Sequence, residues 1–538
     1  SRRKFKSEKF ESVCRTISAR ASNSFFHGRL SGTRLAGECA AVCYIVYLKI
    51  LEKVPIYPYF KKSYKTKERR EIMKKEYLIR ELVNELSANN LAIFAGAGLS
   101  VDAGFVDWKG LLKGLADELD LDIHKEENNL VSLAQYYVNS KCGKRSKINQ
   151  LILDEFSQLA ELTEKHRILA KLPIDTFWTT NYDSMIETAL KEAGKVVDVK
   201  HCVEQLPISI HKRDAVVYKM HGDASLPNQA VLIKDDYEKY HLTRNDFFNA
   251  LRGDLLTKRF LFLGFSFTDP NIDYILSRIR TSYSENQKEH FCILKRVQQA
   301  PNEKQEEFEY RQRKQQFFIS DLERVGISTL LIDDYPEITE ILREVEQAQK
   351  RKTIFISGAA EDYSPYSQQE VEQFVSSLSQ EILKLGYRIV TGFGLGIGSS
   401  VISGSIKYLT EKNLKIDEDY LILRPFPQNK EGKELWSAWR EDMISYAGIS
   451  IFLFGNKSED GQIILSDGMQ EEFDISKRNK NILIPVASTG HMAKQLWEED
   501  MRKECSENIE TEMQALSKEN IPLDELKSNI LSILKKVK

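Results

Sequence analysis

The chain alternates short apolar runs with longer stretches in which apolar residues recur every three or four positions. Between residues of about 85 and 335 the runs are LAIFAG (91–96), TFWTT (176–180), AVVYKM (215–220), RFLFLGFS (259–266), HFCILK (290–295) and STLLI (328–332). Runs of this length, rich in β-branched and aromatic side chains, predict buried strands, and helical segments between them predict βαβ units around a parallel sheet. A second alternation carries TIFISG (353–358), YRIVTG (387–392), YLILRPF (420–426), ISIFLFG (449–455) and NILIPV (481–486). The charged helical stretch EITEILREVEQAQKRK lies between the two sets. The expected fold class is therefore α/β, with two Rossmann-like parallel-sheet domains at 73–335 and 353–538 joined by a helical connector at 336–352.

Residues 1–72 fit neither alternation. They show no sustained period and end in the charge run KKSYKTKERRE, whereas Met73 opens an amphipathic pattern that leads into LAIFAG and would make a natural chain start. This appendage is expected to be upstream sequence or a disordered tail, the alternative being an arm for a membrane surface or partner. Charge sharpens the division: residues 1–72 hold seventeen Lys/Arg against six Asp/Glu, while the whole chain of 538 residues has a net charge of −2. That balance argues against a protein held on nucleic acid by phosphate neutralisation. The longest apolar run, Ala40 to Leu48, is far short of the ~20 residues a membrane span needs. Seven scattered cysteines lack the spacing of a disulfide framework, so a cytoplasmic setting is expected.

Candidate chemistry begins after LAIFAG. Gly96-Ala97-Gly98-Leu99-Ser100 places small residues where a backbone can approach a pyrophosphate and bind it with main-chain amides. A glycine-rich turn alone is weak, since it also suits any tight turn. Three further segments follow in order: Thr179-Thr180-Asn181-Tyr182-Asp183, then Lys219-Met220-His221-Gly222-Asp223, then Gly264-Phe265-Ser266. Together they resemble the sirtuin family, whose order is GAGxS, TxNxD, HG and GxS. The resemblance implies a site for NAD+ in which Ala97, Gly98 and Ser100 line the phosphates. Asp107 would sit in a mobile loop beside nicotinamide, and Ser266 would contact a ribose. It also implies that Asn181 polarises or places water at the anomeric carbon, and that His221 is the base handling ribose hydroxyls, a task suited to a group titrating near neutrality.

Protein-deacylating sirtuins carry a zinc module of two CxxC pairs between the HG and GxS segments. No cysteine lies between Cys202 and Cys292 here, and Cys39 and Cys43 have no partner pair, so no metal is expected. The stretch instead resembles the sirtuin-like effectors of bacterial defence, in which water accepts the ribose and NAD+ is consumed. The segment Ser266-Phe267-Thr268-Asp269-Pro270 fits that subgroup, with Asp269-Pro270 read first as a helix cap and second as an NAD+ contact.

In the C-terminal half, Ser357-Gly358 ends a strand, Gly392-Phe393-Gly394-Leu395-Gly396-Ile397-Gly398 joins another to a helix, and Gly468-Met469-Gln470-Glu471-Glu472 opens a further helix. These resemble the SLOG domains, nucleotide-binding relatives of lysine-decarboxylase-like enzymes. Their full glycine-glutamate pattern is reduced to DGMQEE, which favours binding over cleavage. Ser357, Gly358, Gly394 and Gly396 would cradle an effector, Arg440 and Lys457 would pair with its phosphates, and Glu471 would accept from ribose hydroxyls. Ordinary ion pairing is the alternative for each charged residue, and Trp436 and Trp439 are expected to pack.

A sirtuin-like domain followed by SLOG is the architecture of the NAD+-degrading effectors of the bacterial Thoeris anti-phage systems. In that family a TIR-domain partner makes a cyclic ADP-ribose isomer, SLOG binds it, and a homotetramer degrades NAD+. A protein deacylase and a non-catalytic nucleotide sensor remain the other readings. The absent zinc cysteines count against the first, and the retained Asn181 and His221 against the second.

Overall fold

The computed structural model describes residues 73–126, 129–158, 160–267, 269–283, 288–427, 430–502 and 505–537. The basic segment 1–72, including Cys39 and Cys43, lies outside the described residues.

Seven parallel strands form the first sheet: β1 (Leu91–Ala95), β2 (Thr176–Thr179), β3 (Val197–Lys200), β4 (Ala215–Lys219), β5 (Arg259–Leu263), β6 (His290–Lys295) and β7 (Ile327–Ile332), ordered β3-β4-β2-β1-β5-β6-β7. Helices cover both faces, and the alternation within β1 shows why. Leu91, Ile93 and Ala95 enter one core, while Ala92 and Phe94 enter the other. A continuous apolar run is what a strand buried on both sides requires.

Sequence periodicity predicts six strands here, and β3 is the seventh. Its sequence VDVK hides a strand because Asp198 and Lys200 are 3 % and 2 % exposed and paired at 2.8 Å. Buried charges survive when paired, and only the fold brings the partner and Arg213, 2.8 Å from Asp198, into place.

The second sheet holds β8 (Thr353–Ala359), β9 (Arg388–Thr391), β10 (Leu421–Leu423), β11 (Ile449–Phe454) and β14 (Ile482–Pro485), all parallel, ordered β10-β9-β8-β11-β14. Between β11 and β14 an unpredicted antiparallel hairpin, β12 (Asn456–Glu459) and β13 (Gln462–Leu465), turns at Asp460-Gly461. Both turn residues have positive φ, the pairing that a two-residue hairpin favours.

The helix Pro336–Lys350, read from sequence as a connector, packs its buried Ile338, Ile341, Leu342 and Val345 into the first core beside the helix Lys75–Ser87. Its polar edge is tied by Lys75–Glu344 at 2.6 Å.

Two buried histidines make this fold acid-sensitive. Burial pushes His166 down to about 4 and His290 down to about 3. His290 must keep Nδ1 unprotonated, because it accepts the Phe260 N–H at 3.2 Å. Both folded values lie below the unfolded value near 6.5, so their contribution is complete above pH 6.5 and is lost as pH falls from there toward 4 and 3. Acidification from pH 7 to 5 is expected to cost about 2 kcal/mol per histidine. Urea unfolding at the two pH values checks this, and an unchanged midpoint would contradict it.

Candidate active site and effector site

The parallel register sets the first site. Ala95 pairs with Thr179 and with Leu263, and Thr179 pairs with Lys219, so the carboxyl ends of four adjacent strands, β4-β2-β1-β5, finish level. The four sequence motifs are the segments that leave those ends. The chain order reverses between β1 and its two neighbours, and in open α/β sheets such a switch point is where ligands bind.

The glycines here serve close backbone packing. A Cβ on Gly96 would lie 2.4 Å from the Gly264 carbonyl oxygen, and one on Gly264, at φ +62°, would lie 2.3 Å from the Leu99 nitrogen. The turn after β1 is thereby pressed onto the turn after β5. Gly98 N–H donates to the Gly264 carbonyl at 3.0 Å, so this amide is already engaged. Ala97 is half-buried on the same turn, and Ser266 is exposed on the facing one.

Asn181 is held from three directions. Its N–H donates to Thr179 Oγ1 at 2.9 Å, and its Nδ2 donates to the Gly96 carbonyl at 3.1 Å and to Ser100 Oγ at 3.3 Å. Ser100 thus anchors the carboxamide, whatever it adds toward a phosphate. Asn181 Oδ1 is buried without a hydrogen-bond partner. His221 is 1 % exposed, and both its ring nitrogens are buried without a hydrogen-bond partner, although Nε2 lies 3.0 Å from Asp269 Oδ2. Buried polar atoms are nearly always satisfied, so this group of orphans at two neighbouring strand ends fits a polar ligand.

The turns that carry them are locked from below. Lys219 Nζ, at the end of β4, donates to the carbonyls of Tyr182 at 3.1 Å and Asp183 at 2.6 Å and pairs with Glu187 at 2.9 Å and with Asp223. Burial opposes its charge, but the two carboxylates outweigh burial and hold its pKa above the ordinary lysine value. Arg244 clamps the HG turn from outside, reaching the carbonyls of His201 at 3.1 Å and Gln229 at 2.8 Å. Lys219 opens the HG segment of the sequence without an assigned role there, and Arg244 carries no motif signal.

Asp107 is exposed and accepts the Gly110 N–H at 2.7 Å as the cap of the helix Trp108–Glu118. No contact joins it to Asn181 or His221. Its neighbour Trp108 meets the Tyr237 ring edge-on at 6.3 Å, and Tyr237 meets His221 edge-on at 5.6 Å, so an aromatic wall stands over the imidazole.

In the second domain the glycine loop after β9 lies on the end of β8. A Cβ on Gly394 would sit 2.1 Å from the Gly358 carbonyl oxygen, one on Gly358 would sit 2.6 Å from Ile397 Cγ2, and one on Gly396, at φ +77°, would sit 2.3 Å from the Ala360 carbonyl oxygen. Ser357 Oγ donates to Glu472 Oε2 at 2.6 Å, and Arg440 Nη1 donates to Glu471 Oε2 at 2.6 Å with Nε 3.5 Å from Glu472 Oε1. The Arg440 guanidinium also lies over the rings of Phe426 and Trp436.

Ser357, Arg440 and Glu471 are thus brought together, while Lys457 stands on the β12 strand paired with Asp467 at 2.6 Å. Glu472, named in the sequence beside Glu471 but given no role there, has a carboxyl that burial pushes above its ordinary value. Helical period would have found it: Met469, Glu472, Phe473 and Ser476 share the buried stripe of the helix Asp467–Arg478. Trp436 and Trp439 are half-buried, their indoles donating to the carbonyls of Pro427 at 2.8 Å and Arg424 at 3.3 Å.

Comparison with known proteins agrees with this division. Residues 175–317 match the SIR2-like domain family, and residues 337–537 match the Sir2- and TIR-associating SLOG family. NAD(+) hydrolase ThsA of Bacillus cereus is 53 % identical over 422 residues, which is 78 % of this chain and 88 % of that one. NAD(+) hydrolase ThsA of Acinetobacter baumannii is 48 % identical over 430 residues, covering 78 % and 89 %. Defense-associated sirtuin 2 of Bacillus subtilis is 27 % identical over 223 residues, 40 % of this chain and 22 % of that one. With about half of the aligned residues identical over 88 % of the first relative's length, and with a SIR2-like domain followed by a SLOG domain, the chain belongs to the ThsA family.

Proposed function

We infer that this chain is an NAD+ hydrolase gated by its own C-terminal domain. The observation that carries the reading is that Asn181 and His221, each with orphaned buried atoms, lie just beyond the level carboxyl ends of the adjacent strands β2 and β4. The naming of its relatives as NAD+ hydrolases supports it. In the reaction the bond between the ribose anomeric carbon and the nicotinamide nitrogen breaks, and its electron pair neutralises the departing pyridinium. A water oxygen bonds to that carbon, and its proton passes through His221 to solvent, leaving ADP-ribose.

Nicotinamide is a good leaving group, so the protein mainly orients the sugar and excludes water except at one face. Asn181 Oδ1 directs the attacking water or the hydroxyls beside it. The fixed Nδ2 bonds keep that oxygen preorganised, which is where electrostatic catalysis gains most. Ser266, Ala97 and the rest of the β1 turn hold the adenosine and pyrophosphate side.

The activator is a cyclic ADP-ribose-type nucleotide bound among Ser357, the glycine loop, Arg440 and Lys457. A TIR-domain protein makes it in the cytoplasm during phage infection. An ungated site of this kind would exhaust cellular NAD+, and single-site coupling of ~1–3 kcal/mol changes activity only ~5- to 150-fold. A homotetramer would supply the additional amplification.

Nicotinamide release from NAD+, followed with and without cyclic ADP-ribose isomers, tests the whole reading; no release under any isomer would sink it. The gating part has its own test. Lys457→Ala and Arg440→Ala are each expected to raise the activator concentration for half-maximal response by ~10-fold or more, the worth of one charge-assisted bond. Basal turnover should stay unchanged. A normal dose response in both variants would place the effector elsewhere.

A further inference from the structure

We infer that Asp269 is the positioning residue of His221: its carboxylate keeps the imidazole proton on Nε2, so that Nδ1 holds the lone pair that serves as base. This rests on the hydrolase reading above and adds to it the ring nitrogen that works and the group that selects it.

Asp269 begins the helix Pro270–Tyr283, and its two oxygens do different things. Oδ1 accepts the main-chain N–H groups of Asn271 at 2.8 Å and Ile272 at 3.2 Å, which fixes the carboxylate as a helix cap. Oδ2 lies 3.0 Å from His221 Nε2. A cap alone needs one acceptor oxygen and is served equally by asparagine or serine. The second oxygen stands beside an imidazole that is 1 % exposed, and Asp269 is itself 9 % exposed, so solvent screens neither group.

The other groups facing the ring do not compete for this role. Tyr237 and Tyr240 present ring edges at centroid distances of 5.6 and 6.4 Å. Burial pushes both hydroxyls upward, so they stay protonated and act as donors. The Tyr240 hydroxyl donates to the Met220 carbonyl at 3.0 Å, and the Tyr237 hydroxyl lies 3.4 Å from Asp269 Oδ2. Among the described residues Asp269 is thus the carboxylate shown beside the ring, and it reaches Nε2. That contact is close but off the donor line. Catalytic hydrogen bonds are often misaligned before substrate binds, and at 3.0 Å this one lacks alignment rather than proximity. Nδ1 is left buried and unpartnered, the state expected of a base awaiting its proton donor.

Asp269→Asn separates orientation from capping. The carboxamide oxygen still caps the helix, but its NH2 now meets Nε2 and drives the proton to Nδ1, the wrong tautomer. The expected result is a kcat for NAD+ lowered by ~100-fold or more with KM within about threefold. The melting temperature should move by less than about 5 °C. Nitrogen-15 spectra of the ligand-free full chain should show His221 Nδ1 unprotonated in the wild type and protonated in the variant. Turnover within threefold of wild type, or the same tautomer in both proteins, overturns the proposal. So does lost activity that comes with a lower melting temperature and an unchanged tautomer, which would leave Asp269 a cap alone. Failure of the wild type to release nicotinamide would instead sink the hydrolase reading, and the spectra would still report the ring's orientation.

Discussion

His221→Ala is expected to reduce nicotinamide release by ~10³-fold or more while leaving the fold intact, because general-base assistance is worth ~10² to 10⁴ and the side chain is not a structural tie. Its two ring nitrogens hold no hydrogen bond in the structure. The turn it sits on is kept by other bonds: the Val231 N–H donates to the His221 carbonyl at 2.9 Å, and Arg244 grips the carbonyls around it. Asp269 and the edges of Tyr237 and Tyr240 stand beside the ring, but no hydrogen bond of the fold ends on it, so its removal should cost chemistry more than stability.

Asn181→Ala is expected to have an equal effect on turnover with a larger cost to order, since its Nδ2 bridges the Gly96 carbonyl and Ser100. Single-turnover release of nicotinamide, read beside the unfolding midpoint, distinguishes the two. Near-normal turnover in either variant would remove that residue from the reaction.

The second large effect falls on stability. Lys219→Met is expected to destabilise the chain by ~3–5 kcal/mol, the usual consequence of stripping one partner from a buried ion pair. Lys219 is 0 % exposed, and its loss leaves Glu187 and Asp223 facing each other's field with no counter-charge. Glu187 is already pushed upward by burial, an effect that Lys219 offsets, so in the variant it should take up a proton.

The same ammonium ties the Tyr182 and Asp183 carbonyls to the strand carrying His221. Nicotinamide release should therefore fall together with the unfolding midpoint. Adding Glu187→Gln should recover part of the loss, because a neutral side chain needs no counter-ion. A single variant within 1 kcal/mol of wild type would show that the cluster contributes little.

Both α/β domains could be read from the chain because strands buried on two faces must be apolar throughout, as in RFLFL and ISIFLF. The order of the motifs carried the sirtuin and SLOG likenesses for the same reason that it carries function. Segments leaving parallel strands at one sheet edge converge whatever lies between them in sequence. Signals of this kind are local, and local signals survive in a linear chain.

What only the tertiary structure decided are the pairings. Asp198 and Lys200 interrupt the apolar pattern that marks the other strands, and their pairing makes them part of a buried edge strand. Glu471 stands where the motif puts a glutamate, but Glu472 is the one turned inward against Ser357. The glycines of the β1 turn look like a phosphate cradle by sequence, yet Gly96 is small because its backbone touches that of Gly264 in the turn after β5. Asp269 could be read as a helix cap, and only the fold sets its other oxygen beside His221. A charged or polar residue carries little meaning by itself, since its partner stands elsewhere in the chain, as Glu472 stands 115 residues from Ser357. Hydrophobic period needs no partner to be recognised, which is why architecture could be read early and the working geometry could not.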